Sequence, residues 1–118
     1  MKLRFHSGTL RLRLSQSDVA RLVETGRIEE TMLFPQSRGL TYAIELADGA
    51  EIVASFIGDR IEITVPAAVG RNWIASDQAG IENLNATPKL LIEKDYRCAH
   101  QEGSGEMDAF PNPMMDKF

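Results

Sequence analysis

The chain has 118 residues, of which 43% are hydrophobic and 25% are charged, and these proportions are typical of one globular domain. Its 13 Lys and Arg and 17 Asp and Glu residues give a net charge of −4, which argues against a predominantly basic nucleic-acid-binding domain. No apolar run approaches the roughly 20 residues that span a bilayer, so we expect no membrane partner. A single cysteine cannot form an internal disulfide, and this predicts a cytoplasmic protein.

The first predicted unit opens with a β-hairpin. Polar and apolar side chains alternate along residues 2–6 and again along residues 9–14, and a period of two predicts strands with one buried face. Ser7 and Gly8 lie between them and favour a tight turn. The predicted inward side chains are Leu3, Phe5, Leu10, Leu12 and Leu14.

A short helix and a second hairpin are predicted next. Ser15 is suited to cap the helix, Asp18 favours its first turn, and Gly26 is typical of a helix end. The apolar stripe of this helix consists of Val19, Leu22 and Val23. Two strands follow, at residues 27–34 and 40–46, with a loop between them.

The same order of elements recurs in the second half of the chain. Pro66 is predicted at the first position of a helix that runs to about residue 75 and buries Val69, Trp73 and Ile74. The predicted strands around it cover residues 51–57, 60–65, 80–84 and 90–95.

The two halves match when the chain is shifted by 51 residues. The shift aligns Phe5 with Phe56, Leu10 with Ile61, Leu12 with Ile63, Leu14 with Val65, Leu22 with Trp73 and Val23 with Ile74. One of these pairs is an identity, so the agreement lies in the pattern, and we favour an internal duplication over a coincidence of two similar units.

The fold prediction is a β-rich α+β domain over residues 1–95. In it, two tandem hairpin–helix–hairpin units, about residues 1–47 and 51–95, form a barrel-like pseudo-dimer with two short helices that leaves few exposed edges. Residues 96–118 are predicted to be a tail that is either docked or mobile.

Two resemblances accompany this prediction. Residues 58–68, with the strand end Ile63-Thr64-Val65-Pro66, resemble the strand-to-helix junction of swapped-hairpin proteins, the AbrB-like regulators and MazE-like antitoxins. That resemblance implies an interlocked fold and a DNA-contacting hairpin. The whole chain also resembles a small uncharacterised bacterial family, through residues 10–14, the segment at 91–95 and the ending at 108–113, and this resemblance implies no function.

A cluster of basic side chains on the first hairpin is the first candidate site. Lys2, Arg4, His6, Arg11 and Arg13 all point away from the apolar residues of their strands. Cross-strand neighbours lie about 5 Å apart, so the cluster is suited to phosphate contacts or is simply a solvated outer face. The matching face of the second unit carries Arg60, Glu62 and Thr64 and is not basic, although a two-fold DNA reader needs both faces.

Cys98 and His100 are the second candidate. A thiolate and an imidazole are good zinc ligands, but with one cysteine and two histidines in the chain, carboxylates must complete the site. The same pair is a candidate for thiol chemistry, although no third catalytic member is evident. The alternative is a buried, inert Cys98 beside a solvated His100.

The C-terminal segment is the third candidate. Phe110 lies beside Pro111 and Pro113, whose rings restrict the backbone, so the segment is suited to docking on its own domain, a second copy or a partner. We therefore predict a non-catalytic binding or regulatory protein without a cofactor, whose specific role is unknown and whose partner is another protein or itself. DNA binding through the basic hairpin is the alternative, and metal or thiol chemistry a further one.

Overall fold

The computed structural model describes residues 1–96, which form a strand-rich α+β domain. Each strand and helix predicted from the sequence is present. The elements in chain order are β1 (Lys2–His6), β2 (Thr9–Leu14), α1 (Gln16–Thr25), β3 (Arg27–Phe34), β4 (Arg38–Ala47), β5 (Val53–Ile57), β6 (Arg60–Pro66), α2 (Ala67–Ile74), β7 (Gly80–Asn83) and β8 (Lys89–Lys94).

The eight strands form two four-stranded sheets, with strand orders β1-β2-β8-β7 and β3-β4-β6-β5. The central pairs β2–β8 and β4–β6 are parallel, whereas all other pairs are antiparallel hairpins. Each sheet therefore combines one hairpin from the first half of the chain with one from the second half. The expectation of a single closed barrel is not confirmed, because residues 1–96 place their strands in two separate sheets.

The two halves use matching strand registers. The pairing of Lys2 with Arg13 in the first hairpin corresponds to that of Val53 with Thr64, both partners being displaced by 51 positions. The parallel pairs correspond with unequal displacements, of 51 positions between β2 and β6 and of 48 between β4 and β8. Here the corresponding pairs are Thr9 with Lys89 and Arg60 with Thr41. Corresponding backbone hydrogen bonds just before β3 and β7 join Leu46 N–H to the Gly26 carbonyl and Lys94 N–H to the Ala79 carbonyl.

A single hydrophobic core fills the space between the inward faces of both sheets and the two helices. Its largest fully buried side chains are Trp73, Leu12, Leu14, Leu22, Ile44, Ile63, Leu90, Ile92 and Val65. Ser15 caps helix α1 as predicted, and the structure completes a capping box, in which the Ser15 hydroxyl accepts from Asp18 N–H and the Asp18 carboxylate accepts from Ser15 N–H. Gly26 ends the helix in the left-handed conformation at φ 81°, as predicted.

Four side chains depart from the sequence-based expectation. Phe5, Val23 and Val69 were predicted to be buried, but all three are exposed. Val23 and Val69 lie at the margins of the helix faces that contact the core, and Phe5 lies at the end of the core that no helix in residues 1–96 covers. Pro66 ends β6, paired with Ala47, and precedes the helix instead of starting it.

Candidate functional site

An apolar cleft of about 600 Å³ opens at one end of the domain. It lies between the tips of the β1–β2 and β5–β6 hairpins. The helices lie at the opposite end, because β2 and β6 each run away from the cleft and lead directly into a helix. The cleft is lined by Phe5, His6, Ser7, Gly8, Thr9, Leu10, Leu40, Ala54, Ser55, Phe56, Ile61, Thr87 and Pro88.

Two phenylalanine side chains flank this cleft. Phe5 is paired with the core residue Leu10 across its hairpin, and Phe56 is paired with Ile61, so both rings lie on the inward faces of their sheets. Nevertheless, Phe5 is 64% exposed and Phe56 is 67% exposed. Aromatic rings on an inward face that remain open to solvent are characteristic of binding surfaces.

Tight turns produce the two tips beside the cleft. Ser7 and Gly8 have φ values of 46° and 78°, and Gly58 and Asp59 have φ values of 57° and 63°. Positive φ at both central residues is the type I′ geometry, whose twist matches that of the flanking strands. Both hairpins are therefore closed by two-residue turns, which hold the strand ends that carry Phe5 and Phe56 in place.

The lining of the cleft contains no Asp, Glu, Lys or Arg, and His6 is its one titratable side chain. A larger groove of about 1270 Å³ lies at the helical end, but its lining includes Glu24, Asp77, Lys94 and Asp95. Burial of a charged group is costly unless it is paired. The uncharged cleft is therefore the surface of the described domain that best fits an apolar ligand.

The basic residues of the first hairpin lie together on the outer face of their sheet, but β8 brings acids beside them. Glu93 Oε1 lies 3.3 Å from Arg11 Nε and 3.6 Å from Arg13 Nε. Asp95 Oδ2 lies 3.0 Å from Lys2 Nζ. These two carboxylates offset about half of the positive charge of the cluster, which includes four Lys and Arg side chains. Arg4 and His6, the other two members of the cluster, make no salt bridge within residues 1–96.

The outer face of the second sheet carries a mixed charge network. Arg27 donates to both carboxylate oxygens of Glu62 at 2.8 and 2.9 Å, and Arg60 donates to Glu62 and Glu29. Hydrogen bonds from Arg27 and Arg60 lower the pKa of Glu62 to about 2. The network keeps Glu62 charged, and both of its carboxylate oxygens accept hydrogen bonds from within the domain. We therefore interpret this face as stabilising the sheet.

A second cluster joins β1, α1 and β3 through the α-ammonium group of Met1. This group lies 2.9 Å from both Asp18 and Glu30, and the Tyr42 hydroxyl donates to Glu30 at 3.0 Å. Burial raises the pKa of Asp18, but hydrogen bonds from Ser15 and the Met1 ammonium outweigh it and lower the pKa to about 2. Asp18 thus stabilises both the helix start and the position of β1.

Two sequence-based candidates lie outside the described residues, namely Cys98 with His100 and Phe110 with Pro111 and Pro113. Metal binding at the first and interaction through the second stay predictions. Among residues 1–96, no group of three or more potential metal-ligating side chains occurs. Neither helix of this part is long and apolar enough to cross a membrane.

Sequence reasoning missed the cleft. The alternation of residues in β1 and β5 predicts which face Phe5 and Phe56 share with the core, but it does not show whether another element covers that face. A usable signal was present in the shift of 51 residues, because Phe5 and Phe56 are its identical pair. Two matching aromatic positions beside two matching turns place both rings at hairpin tips.

The fold and the cleft together define a small α+β domain with two mixed four-stranded sheets and an apolar opening between two hairpin tips. The chain belongs to a family of unknown function, DUF7009, whose model matches residues 1–114. Membership of an uncharacterised family is thereby confirmed. No curated protein and no solved structure matches the chain significantly.

Proposed function

We propose that the protein is a non-catalytic protein-binding domain whose site is the cleft between the hairpin tips. The observation that carries this proposal is the exposure of Phe5 and Phe56 on the inward faces of their sheets. Burying an aromatic side chain contributes roughly 2 kcal/mol at about 25 cal/mol per Å². Two such rings beside one opening therefore provide a substantial binding contribution without any charged contact.

The chemistry of the lining indicates the kind of partner. The walls are apolar, whereas Ser7 and Thr87 contribute hydroxyl groups. Such a combination fits an uncharged peptide segment whose apolar side chains enter the cleft and whose backbone groups hydrogen-bond to the hydroxyls. A partner segment with one or two large apolar residues is the ligand that this site supports best.

Site-specific photo-crosslinking in the protein's native cells tests the proposal. A photoreactive phenylalanine analogue replaces Phe5 in the full chain, and the control carries it at Val23, which is 40% exposed on α1. We expect discrete adducts with another protein from position 5 but not from position 23, and their loss when Phe56→Ser is added. Identical adducts from both positions, or none from position 5, would contradict the proposal.

We further propose that the domain arose by duplication of a swapped-hairpin unit and is an interlocked pseudo-dimer, as in AbrB-like proteins. The equal displacement of both partners between the β1–β2 and β5–β6 registers supports this, as does the pairing of each hairpin with one from the other half. The single cysteine supports a reducing compartment, and we propose the cytoplasm.

Phe110, Pro111 and Pro113 are proposed as a second interaction element, on the grounds of their sequence chemistry. Duplex DNA is the less favoured partner, because Glu93 and Asp95 pair with three of the five basic-cluster residues. A peptide covering residues 106–118 tests the proposed interaction element directly. Its binding to the full chain, and loss of that binding with Phe110→Ser, is the expected result.

A further inference from the structure

The sheet edges of the described domain are not equally protected. The edge strands are β1 and β7 in one sheet and β3 and β5 in the other. Charged residues on an edge strand discourage pairing with another chain. Strand β1 carries Lys2 and Arg4, β3 carries Glu29 and Glu30, and the four-residue β7 carries Glu82, but β5 carries no charged residue.

Strand β5 is also exposed. Val53 is 47% exposed and Ile57 is 76% exposed on its outward face, and Phe56 adds a third open apolar side chain. Within residues 1–96, the outer edge of β5 has no strand partner beyond β6 on its inner side. A strand without charged residues, with β-branched residues at both ends and a free edge, is a template for the addition of another strand.

We propose that β5 pairs antiparallel with β5 of a second copy of this chain, forming a symmetric dimer with a continuous eight-stranded sheet. The register that overlaps all five residues is centred on Ser55. It places Val53 opposite Ile57 of the second copy on one face and Ala54 opposite Phe56 of the second copy on the other. Both contacts are apolar, and the second joins a small side chain to a large one.

The backbone of β5 is oriented for this pairing. In a hairpin with a two-residue turn, the residues that flank the turn, here Ile57 and Arg60, form a hydrogen-bonded pair. Hydrogen-bonded positions alternate along a strand, so Ser55 also bonds towards β6, whereas Ala54 and Phe56 direct their N–H and C=O groups to the free edge. Two Ala54–Phe56 pairs related by the two-fold axis thus supply four backbone hydrogen bonds.

A second copy fits better than an unrelated strand because a two-fold interface requires one patch to match itself. The strand meets this requirement, since its pairs about Ser55 bring no like charges together. The nearest acid at the turn, Asp59, is already held by Arg38 at 3.0 Å. This dimer goes beyond the proposed protein-binding function, since it uses the backbone groups at the edge of β5, although Ala54, Ser55 and Phe56 of this strand also line the cleft.

Disulfide trapping tests the register. Two residues directly opposite at a non-hydrogen-bonded position have Cα atoms about 4.5 Å apart, within disulfide range. In a background of Cys98→Ser, the full chain with Ser55→Cys is compared with Ile57→Cys under mild oxidation with oxidised glutathione. The Ile57 positions of two copies would lie four residues out of register, about 13 Å apart along the strand.

We expect at least roughly tenfold more disulfide dimer with Ser55→Cys than with Ile57→Cys. Equal trapping at both positions, or none at position 55, would overturn the proposed pairing. The disulfide test uses the purified chain alone, so its failure is distinguishable from a failure of the crosslinks between position 5 and another protein in cells.

Sedimentation of the untreated full chain supplies the second measurement. We expect the average mass to rise towards that of two chains with increasing concentration, and to stay at one chain with Ser55→Arg, which copies Arg4 of the matching strand β1. The control Leu33→Arg removes an 82% exposed apolar side chain from the other edge strand of this sheet and should still dimerise. A monomer at every concentration, or equal loss of dimer in both variants, would refute the dimer.

Discussion

Phe5 and Phe56 occupy corresponding positions in two hairpins, each opposite a core residue and each about two-thirds open to solvent. Their strands turn them inward, but the space between the sheets is open at that end. The pair therefore links the corresponding registers of the two hairpins to the surface that we propose for binding. Their exposure distinguishes the two rings from the buried side chains that stabilise the domain, and it leaves the rings available to a partner.

The first prediction concerns how much the two rings contribute to the stability of the domain. Phe5→Ser combined with Phe56→Ser should lower the free energy of unfolding by less than about 2 kcal/mol, because both rings are already mostly solvated. Leu12→Ala, at a side chain that is 1% exposed, should cost about 2–5 kcal/mol. Urea unfolding monitored by circular dichroism measures both. A double variant as unstable as Leu12→Ala would show that the two rings belong to the core.

The second prediction concerns Asp18 and acid stability. Its pKa is about 2 in the folded protein, below the ordinary value near 4 for an unfolded chain. The stabilisation is therefore fully present above about pH 5 and is lost as the pH falls towards 2. Asp18→Asn should cost about 1–3 kcal/mol at neutral pH, because it removes the ion pair with Met1 and weakens the cap.

Urea unfolding at a series of pH values checks this assignment. The difference between the native protein and Asp18→Asn should shrink towards acid pH, as protonation removes the same interaction from the native protein. The exposed Asp77 provides the control, and Asp77→Asn should change stability by less than about 0.5 kcal/mol. A difference that stayed constant from neutral to acid pH would contradict the electrostatic role of Asp18.

The third prediction concerns Gly80 at the start of β7. A Cβ atom at this position would lie 2.8 Å from the backbone carbonyl oxygen of Ile92 on the paired strand, which cannot move without disturbing the sheet. Gly80→Ala should therefore destabilise the domain by about 1–3 kcal/mol. Gly49 has open space around it and a φ outside the left-handed region, so Gly49→Ala should be neutral or slightly stabilising. Thermal unfolding of the two variants decides the matter, and equal melting temperatures would contradict the close approach.

The fourth prediction concerns the basic cluster. Glu93→Gln with Asp95→Asn would release Lys2, Arg11 and Arg13 from their acidic neighbours. We expect the affinity for duplex DNA to rise and its decrease with salt to become steeper, because more cations become available to phosphates. Fluorescence anisotropy over a salt series measures this, with the exposed Glu24→Gln and Asp77→Asn pair as a control of equal charge. Equal gains in both double variants would show that net charge, not the cluster, governs binding.

Local structure was predictable because it depends on neighbouring residues. The alternation in residues 9–14 identifies β2, Ser15 caps α1 as predicted, and Gly26 ends α1 with a positive φ. The turn at Ser7 and Gly8 also follows from local chemistry. Each of these features is decided within a few residues by backbone sterics and short-range hydrogen bonds.

The sequence by itself therefore determined the order of strands and helices and the inward faces of β1, β2 and β6. Only the tertiary structure decided that β2 pairs with β8, which brings Glu93 beside Arg11 and Arg13 although they are about eighty positions apart along the chain. The same packing leaves Phe5 open and β5 at an uncharged edge. Strand partners, charge pairing and solvent exposure depend on which distant elements meet, and a periodic pattern in one segment carries no record of that.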